Sequence, residues 1–432
     1  MTETAGTGAT SAAGAALPGA LEGMRILDFT SIVLGPLATR MLGDHGADVI
    51  KIEGISGDLT RTSGAVRTSG AGRDGGLSSM FLALNRNKRS IAVDLKAPEG
   101  LEVARRLIAT ADVMVHNIRV AAIERLGLGY AAARAINPRL VYCAATGFGQ
   151  DGPHRDKPAF DDIMQAASGI ADLVEQRHGQ PDFMPTLIAD KTAAMAVVNA
   201  VLAAIVHRER TGQGQYVEVP MFETMVDFML AEHMGGMSFE PQTGPPGYKR
   251  LLAGGRRLLP TSDGHMSGMP YTVAQWRAFF AAVGRDDFLA GIGVATAADV
   301  NAKVSQLYTA MALITPLRST AQWLELFERL DIASTPLYSI SQLPEHPHLK
   351  AVGLFGSERH PTQGDIRTIR PTTRLSGSPQ KVTRLAPELG QHSDELLAEL
   401  GYGHDEIADL YERGIAVSQP RSGTPEREPA NV

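Results

Sequence analysis

Two short, largely apolar runs, Met24–Phe29 and Asp48–Glu53 (DVIKIE), flank a stretch that reads as a helix. Pro36 suits its first residue, the helix runs through Leu37, Met41 and Leu42, and Gly46 stops it. Strand, helix and strand in so short a span make a βαβ unit, which imposes a parallel sheet. The pattern repeats. Pro98 opens a helix with Leu101, Ala104, Leu107 and Ile108 on one face, and Asp112–His116 is the strand after it. A short helix holds Ile123 and Leu126, and Leu140–Thr146 (LVYCAAT) is a further buried strand ending at Gly147. The alternation predicts a doubly wound α/β domain with ligands at the carboxyl ends of its strands.

A long helix follows Asp190 to about Arg210, ended by Gly212 and Gly214, and Gln215–Val219 is a strand. From Gly235 onward Gly, Pro and Met become dense. Asp263-Gly264 suggests a hairpin, Tyr271 to Arg329 reads as helical, and Leu343–His348 is a Pro-rich connector. The expected organisation is a tail over 1–20, a large domain over 21–225, a linker over 226–246 and a smaller domain over 247–330. A second linker covers 331–349, 350–417 return to the large domain, and 418–432 form a second tail. The length of 432 residues suits two or three folding units at roughly 150 residues each.

Composition removes several function classes. A net charge of -6 argues against a surface given over to nucleic acid or anionic lipid, so a polyanionic ligand needs a local basic patch. The single cysteine, Cys143, allows no intrachain disulfide, and a reducing cytoplasm is the default location. The Ala-, Gly- and Thr-rich start lacks a basic segment and an apolar block, so it reads as a disordered tail. The apolar run Thr192–Val206 is too short to span a bilayer and reads as a buried helix.

Dinucleotide binding would need G-x-G-x-x-G after the first strand, but that turn is Ser31-Ile32-Val33-Leu34-Gly35-Pro36, with one glycine. Metal sites are not expected, because there is no cysteine pair and no H-E-x-x-H. No G-x-S-x-G elbow is present. The cluster Asn85–Ser90 (NRNKRS) could grip phosphates or form a solvated turn. Asp190, before a long helix, suits an N-cap. A helix N-terminus also favours the ionised carboxylate that a nucleophile requires, so the two roles are compatible. Asp161-Asp162 carries the same ambiguity, although adjacent acids in a loop are usually solvated.

Six segments in order carry a family resemblance: Ile26–Lys51 (ILDFTSIVLGPLATRMLGDHGADVIK), Asn85–Asp94 (NRNKRSIAVD), Asp112–Asn117 (DVMVHN), Gly147–Pro153 (GFGQDGP), Ala189–Asp190 and Thr211–Val219 (TGQGQYVEV). Together the chain resembles the class III CoA-transferases, the family of formyl-CoA and carnitine CoA-transferases that also contains the 2-methylacyl-CoA racemases. The match covers roughly Leu21 to Glu232, and the end of the chain in pattern only. The resemblance implies a Rossmann-like doubly wound large domain, a second, smaller α+β domain and an interlocked homodimer. Coenzyme A or acyl-CoA is implied as substrate, with no tightly bound cofactor, and a free carboxylic acid as the second reactant. No nucleic-acid or membrane partner is implied.

By position, the resemblance makes Asp190 the nucleophile that forms anhydride and aspartyl-CoA thioester intermediates. It places Ile32, Val33 and Leu34 along CoA, and Val93 and Lys96 at the adenine and phosphate region. Asn117, Ile118 and Arg125 contact CoA from the next strand end, and Lys157 from a loop that aligns loosely. Gly54 stands where formyl-CoA transferase has an arginine, so Arg61 or another base would compensate. Racemases put a proton-transferring His before an Asp, where this chain has Phe160-Asp161, and a phenyl ring carries no proton. Racemase or acyl-CoA isomerase chemistry, and a non-catalytic CoA-binding protein, are the alternatives. Gly235-Gly236 and Gly254-Gly255 are candidates for a loop closing over the intermediate, or plain turns. Arg250, Arg256 and Arg257 could meet a second carboxylate of a dicarboxylic acid.

Overall fold

The computed structural model describes residues 17–66, 76–252 and 256–418, so most of both expected tails, and Gly254-Gly255, lie outside the described residues. By internal contacts the chain forms two compact units: Met1–Asp161 with Ile188–Thr224 and Gly353–Val432, and Asp162–Leu187 with Met225–Val352.

The first unit alternates strands and helices: β1 (Arg25–Phe29), α1 (Leu34–Asp44), β2 (Asp48–Glu53), α2 (Ser79–Leu84), β3 (Lys88–Val93), α3 (Pro98–Ala109), β4 (Val113–His116), α4 (Val120–Arg125), α5 (Tyr130–Ile136) and β5 (Val141–Thr146). Next come α6 (Asp161–Ala167), α7 (Ile170–His178), α8 (Ile188–Thr211), β6 (Tyr216–Pro220) and α9 (Met221–His233), of which α7 lies in the second unit and α6 and α9 run from the first into the second. The seven-stranded sheet has the order Ala416–Val417, β3, β2, β1, β4, β5, β6. All neighbours are parallel except Ala416–Val417, which pairs antiparallel with β3. The chain winds outward from β1 through β2 to β3, then crosses back to β4. The crevice between β1 and β4 is therefore the topological switch point, where open α/β sheets bind ligands.

Burial on both faces explains the continuous apolar strands: β3 and β5 are buried throughout. One layer joins Leu27, Ile50, Val93, Leu107, Ile123, Leu396 and Leu410. On the other side α1 packs against α8, and α8 against β5 and β6. The 24 residues of α8 exceed the apolar run read from sequence, and by length and apolarity alone this helix could cross a membrane. Its buried positions Ala189, Asp190, Ala193, Ala194, Val197, Val201, Ala204, Ile205 and Arg208 instead fall at helical spacing and form one packed stripe. Two boundaries shift from expectation. Pro36 is the third residue of α1, within the first turn where its missing N–H costs nothing. Asp190 is the third residue of α8, inside the helix and not its cap.

The second unit holds a three-stranded antiparallel sheet of Leu259–Thr261, Gly264–Met269 and Ala333–Pro336. The hairpin foreseen near Asp263 is present, with Thr261 opposite Gly264. Trp276, Phe279, Phe280, Trp323 and Phe327 form its aromatic core. Three stretches depart from the sequence reading. Residues 162–187, expected within 21–225, pack with this unit. The expected linker 226–246 begins as helix, because α9 continues to His233. The expected linker 331–349 contains the strand Ala333–Pro336, whose proline is tolerated because this is an edge strand.

Candidate active site

A pocket of about 230 Å³ opens at the carboxyl end of the parallel sheet, at the switch point. Its walls are Ser31–Leu34 after β1, Asn117–Val120 after β4, Ala145–Gly147 at the end of β5, and Gln150, Arg155, Lys157, Pro158, Ala159 and Phe160 from the next loop. Asp190 and Met221 complete it. All of these residues belong to the first unit.

The β1 loop is shaped by buried polar chemistry. Ile32 has a φ of 72°, a left-handed conformation that a β-branched residue rarely adopts and that costs about 1–3 kcal/mol. Its N–H donates to the Asp58 carboxylate at 3.3 Å. Asp58 is paired in turn with the Lys51 ammonium at 2.9 Å, and Lys51 also donates to the Thr30 carbonyl. Sheet register sets Lys51 beside Asp28. The buried Asp28 carboxylate accepts from the Lys88 ammonium at 2.8 Å, the Thr39 hydroxyl at 2.8 Å, and the backbone and hydroxyl of Thr30. Burial alone would raise the Asp28 carboxyl; the ammoniums of Lys88 and Lys51 outweigh it and bring the group down to about 2. Gly35 is required here, since a Cβ would come within 2.2 Å of the Thr30 side chain.

Across the crevice, the Asn117 side chain bridges the two loops: Ser31 N–H donates to its Oδ1 at 3.0 Å and its Nδ2 donates to Ser31 O at 2.9 Å. The loop after β5 is tied down by two carboxylates, Glu223 accepting from Gly149 N–H at 2.9 Å and Glu218 from Gln150 N–H at 2.7 Å.

Asp190 sits in the first turn of α8, about 9% exposed, where the positive end of the helix dipole favours its anion. Its backbone N–H donates to Asp161 Oδ1 at 3.0 Å. Asp161 is therefore buried and holds the start of α8, whereas Asp162 is exposed as adjacent acids usually are. Among the described lining residues Asp190 is the one carboxylate, and no histidine or cysteine joins it. Phe160 lines the same pocket. Cys143 is buried in β5, and burial pushes its thiol up to about 12, far from a reactive thiolate. Among the described residues no His, Cys, Asp and Glu cluster could hold a metal.

The structure brings Ile32, Val33, Leu34, Asn117, Ile118, Lys157 and Asp190 to one pocket. Val93, Lys96 and Arg125 are outside its lining. The Val93 side chain is fully buried in the core. Lys96 is exposed on the turn after β3, and Arg125 is exposed at the end of α4. Because β3 stands two strands from β1, its end is about 10 Å away at normal strand spacing.

Two expectations are overturned. Arg61 cannot replace the base absent at Gly54: its guanidinium is committed to Glu53, at 2.9 and 2.6 Å, and to the Pro387 carbonyl. The Asn85–Ser90 cluster is neither a solvated turn nor a phosphate grip. Arg86 forks onto Asp44, Lys88 meets Asp28, and Arg89 pairs with Asp48, Glu395 and Glu399, all as internal ion pairs. Gly235-Gly236, read from sequence as a closing loop or a plain turn, forms a turn in which a Cβ on Gly236 would fall 2.3 Å from Gly244. Sequence reasoning missed Arg119 and Arg155, which bring further positive charge to the pocket beside Lys157. The visible signal was the basic residue two positions after Asn117.

The family model for CoA-transferase family III matches residues 21–393. The chain belongs to CoA-transferase family III. Family relatives include a succinate–glutarate CoA-transferase of Agrobacterium fabrum, 31% identical over 402 residues, covering 88% of this chain and 95% of the relative. A formyl-CoA:oxalate CoA-transferase of Streptomyces avermitilis is 32% identical over 421 residues, covering 92% of this chain and 99% of the relative. Among solved structures, a CAIB/BAIF family protein from Brucella suis superposes with a TM-score of 0.76 at 28% identity, covering 89% of this chain and 100% of that one. This family III chain is thus an enzyme of the CoA-transferase class, acting on CoA thioesters.

Proposed function

We propose that this enzyme moves CoA from an acyl-CoA donor to a free carboxylic acid through covalent chemistry at Asp190. The observation that carries this reading is the position of Asp190: a single carboxylate in the lining of a switch-point pocket, on the first turn of a long helix, with Arg119, Arg155 and Lys157 around it. The cations suit the phosphates and the carboxylates of such substrates.

In the first step an Asp190 oxygen attacks the thioester carbonyl, the C–S bond breaks, and a mixed anhydride and CoA thiolate result. The thiolate then attacks the Asp190 carbonyl of the anhydride, releasing the donor acid and leaving an aspartyl-CoA thioester. The acceptor carboxylate attacks that thioester, giving a second anhydride and thiolate. Finally the thiolate attacks the acceptor's carbonyl, forming the new acyl-CoA and restoring the Asp190 carboxylate. Covalent catalysis here divides one difficult exchange into easier acyl transfers. Val93, Lys96 and Arg125 remain proposed contacts for the nucleotide end of an extended CoA. The homodimer belongs to the same reading, supported by the family resemblance and by the exposed apolar side chains Met195 and Val206 on α8. A cytoplasmic location is consistent with the single buried thiol.

The test is a panel of acyl-CoAs and free acids with mass spectrometry of the CoA products, for wild type and Asp190→Ala in parallel. New acyl-CoA species should form with wild type and fall at least about 10³-fold in the variant. If wild type instead only exchanges the α-hydrogen of 2-methylacyl-CoA with deuterated solvent, racemase chemistry replaces this reading despite Phe160.

A further inference from the structure

The turn after β1 is held by side chains from other elements. The Lys51 ammonium of β2 donates to Thr30 O at 2.9 Å. The Asn117 side chain, after β4, accepts from Ser31 N–H and donates to Ser31 O. The Asp58 carboxylate accepts from Ile32 N–H, which lies 3.3 Å from each of its oxygens. Ile32, at a φ of 72°, is the residue in this turn least suited to the shape it takes, because a β-branched side chain disfavours the left-handed region.

Asp58 is placed for this bond by its own surroundings. It caps the single turn Leu59–Arg61, accepting from Thr60 N–H at 2.9 Å and from the Thr60 hydroxyl at 2.8 Å. Gly57, at a φ of 74°, turns the chain into it, and the Asp58 N–H donates to Glu53 Oε1 at 3.0 Å. Its carboxylate is buried against the Lys51 ammonium at 2.9 Å, which keeps it ionised against the cost of burial. A buried ion pair is often no more stabilising than an apolar pair of the same volume. This one has a further use, since its anion grips the left-handed residue at the pocket wall and its cation grips the carbonyl two residues earlier.

Resting on the reading that the CoA thioester is taken in the switch-point pocket, we propose that Asp58 is a positioning residue for its binding: through Ile32 N–H it holds the β1 turn in the left-handed conformation that forms the pocket wall. Asp58, Lys51, Thr60, Ile32 and Asn117 all belong to the first unit, as does the pocket. Asp58 is not among the lining residues, so it acts through the turn and not by touching substrate. Without its carboxylate, an isoleucine at this position relaxes toward negative φ. That rotation swings the Ile32 side chain and displaces Val33 and Leu34, the next residues of the wall.

The test is a double-mutant cycle read by calorimetric titration of the full-length protein with free CoA: wild type, Asp58→Asn, Ile32→Gly and the double variant. The amide of Asp58→Asn is the same size but presents a donor where the carboxylate accepted, and CoA should bind about 10-fold more weakly. Glycine holds a positive φ without a side-chain clash, so in the Ile32→Gly background the same substitution should cost no more than about 3-fold. A role for Asp58 in general stability alone would cost the same factor in both backgrounds, and that result overturns the proposal. So does CoA binding that is unchanged in Asp58→Asn. Should Asp58→Asn fail to fold, Thr60→Val removes only the hydroxyl that orients the carboxylate and should weaken CoA by about 2- to 5-fold; no change there overturns the proposal equally. Binding needs no turnover, so repeating the cycle in Asp190→Ala should give the same factors, which separates failure of this proposal from failure of transfer through Asp190.

Discussion

The Asp161 carboxylate accepts the backbone N–H of Asp190 although 29 residues separate them. This bond fixes where the Asp190 side chain leaves the helix, which makes Asp161 a positioning residue for the proposed nucleophile. Its charge-assisted bond is worth about 1.5–3 kcal/mol. Asp161→Ala should therefore lower kcat by roughly 10- to 100-fold with little change in KM for acyl-CoA. Asp161→Asn keeps an oxygen acceptor and should recover most of that loss; equal losses in the two variants would remove the positioning role. Sequence alone assigned Asp190 through its setting in the family pattern. It could not reveal Asp161, because a pair of adjacent acids looks solvated until a distant backbone N–H is brought to one of them. Ile32 is similar: nothing in its identity signals a left-handed φ. Ile32→Gly should relieve strain of about 1 kcal/mol and raise thermal stability, while raising KM for acyl-CoA at the pocket wall.

At the scale of elements, the strands and helices of the βαβ repeats were legible because their periodicity is local. The ion pairs that lock them were not. Asp28 on β1, Lys88 on β3 and Thr39 on α1 meet only after the sheet has formed. A basic run before a strand therefore looked like surface. Lys88→Met should cost about 3–5 kcal/mol in chemical denaturation, because it leaves the Asp28 carboxylate buried without that partner. A cost below about 1 kcal/mol would show that Asp28 is adequately served by Lys51 and the threonines. The linker expectations failed for a related reason: Gly and Pro density marks turns, but Ala333–Pro336 gains its strand character from pairing with Gly264–Met269.

Across the whole molecule, the carboxyls of Asp28, Glu53 and Asp58 are all held low: burial opposes ionisation, but the Lys51, Lys88 and Arg61 cations prevail. Each folded pKa lies below its unfolded value, so the unfolded chain binds more protons as pH falls. The stabilisation is complete above about pH 5, beyond the unfolded carboxyl values, and is lost as pH drops through the lowered values, to about 2 for Asp28. The melting temperature followed by circular dichroism should hold from pH 7 to about 5 and then fall steeply; a flat profile to pH 3 would contradict these pairs. The family assignment rests on nearly the full chain, and the central chemical claim rests on Asp190. The most direct test incubates the enzyme with acyl-CoA and no acceptor acid, then measures intact and peptide masses. The account predicts a CoA thioester adduct on the peptide containing Asp190, removed by hydroxylamine and absent in Asp190→Ala. Transfer that proceeds with no adduct, or with an adduct on another residue, would contradict it.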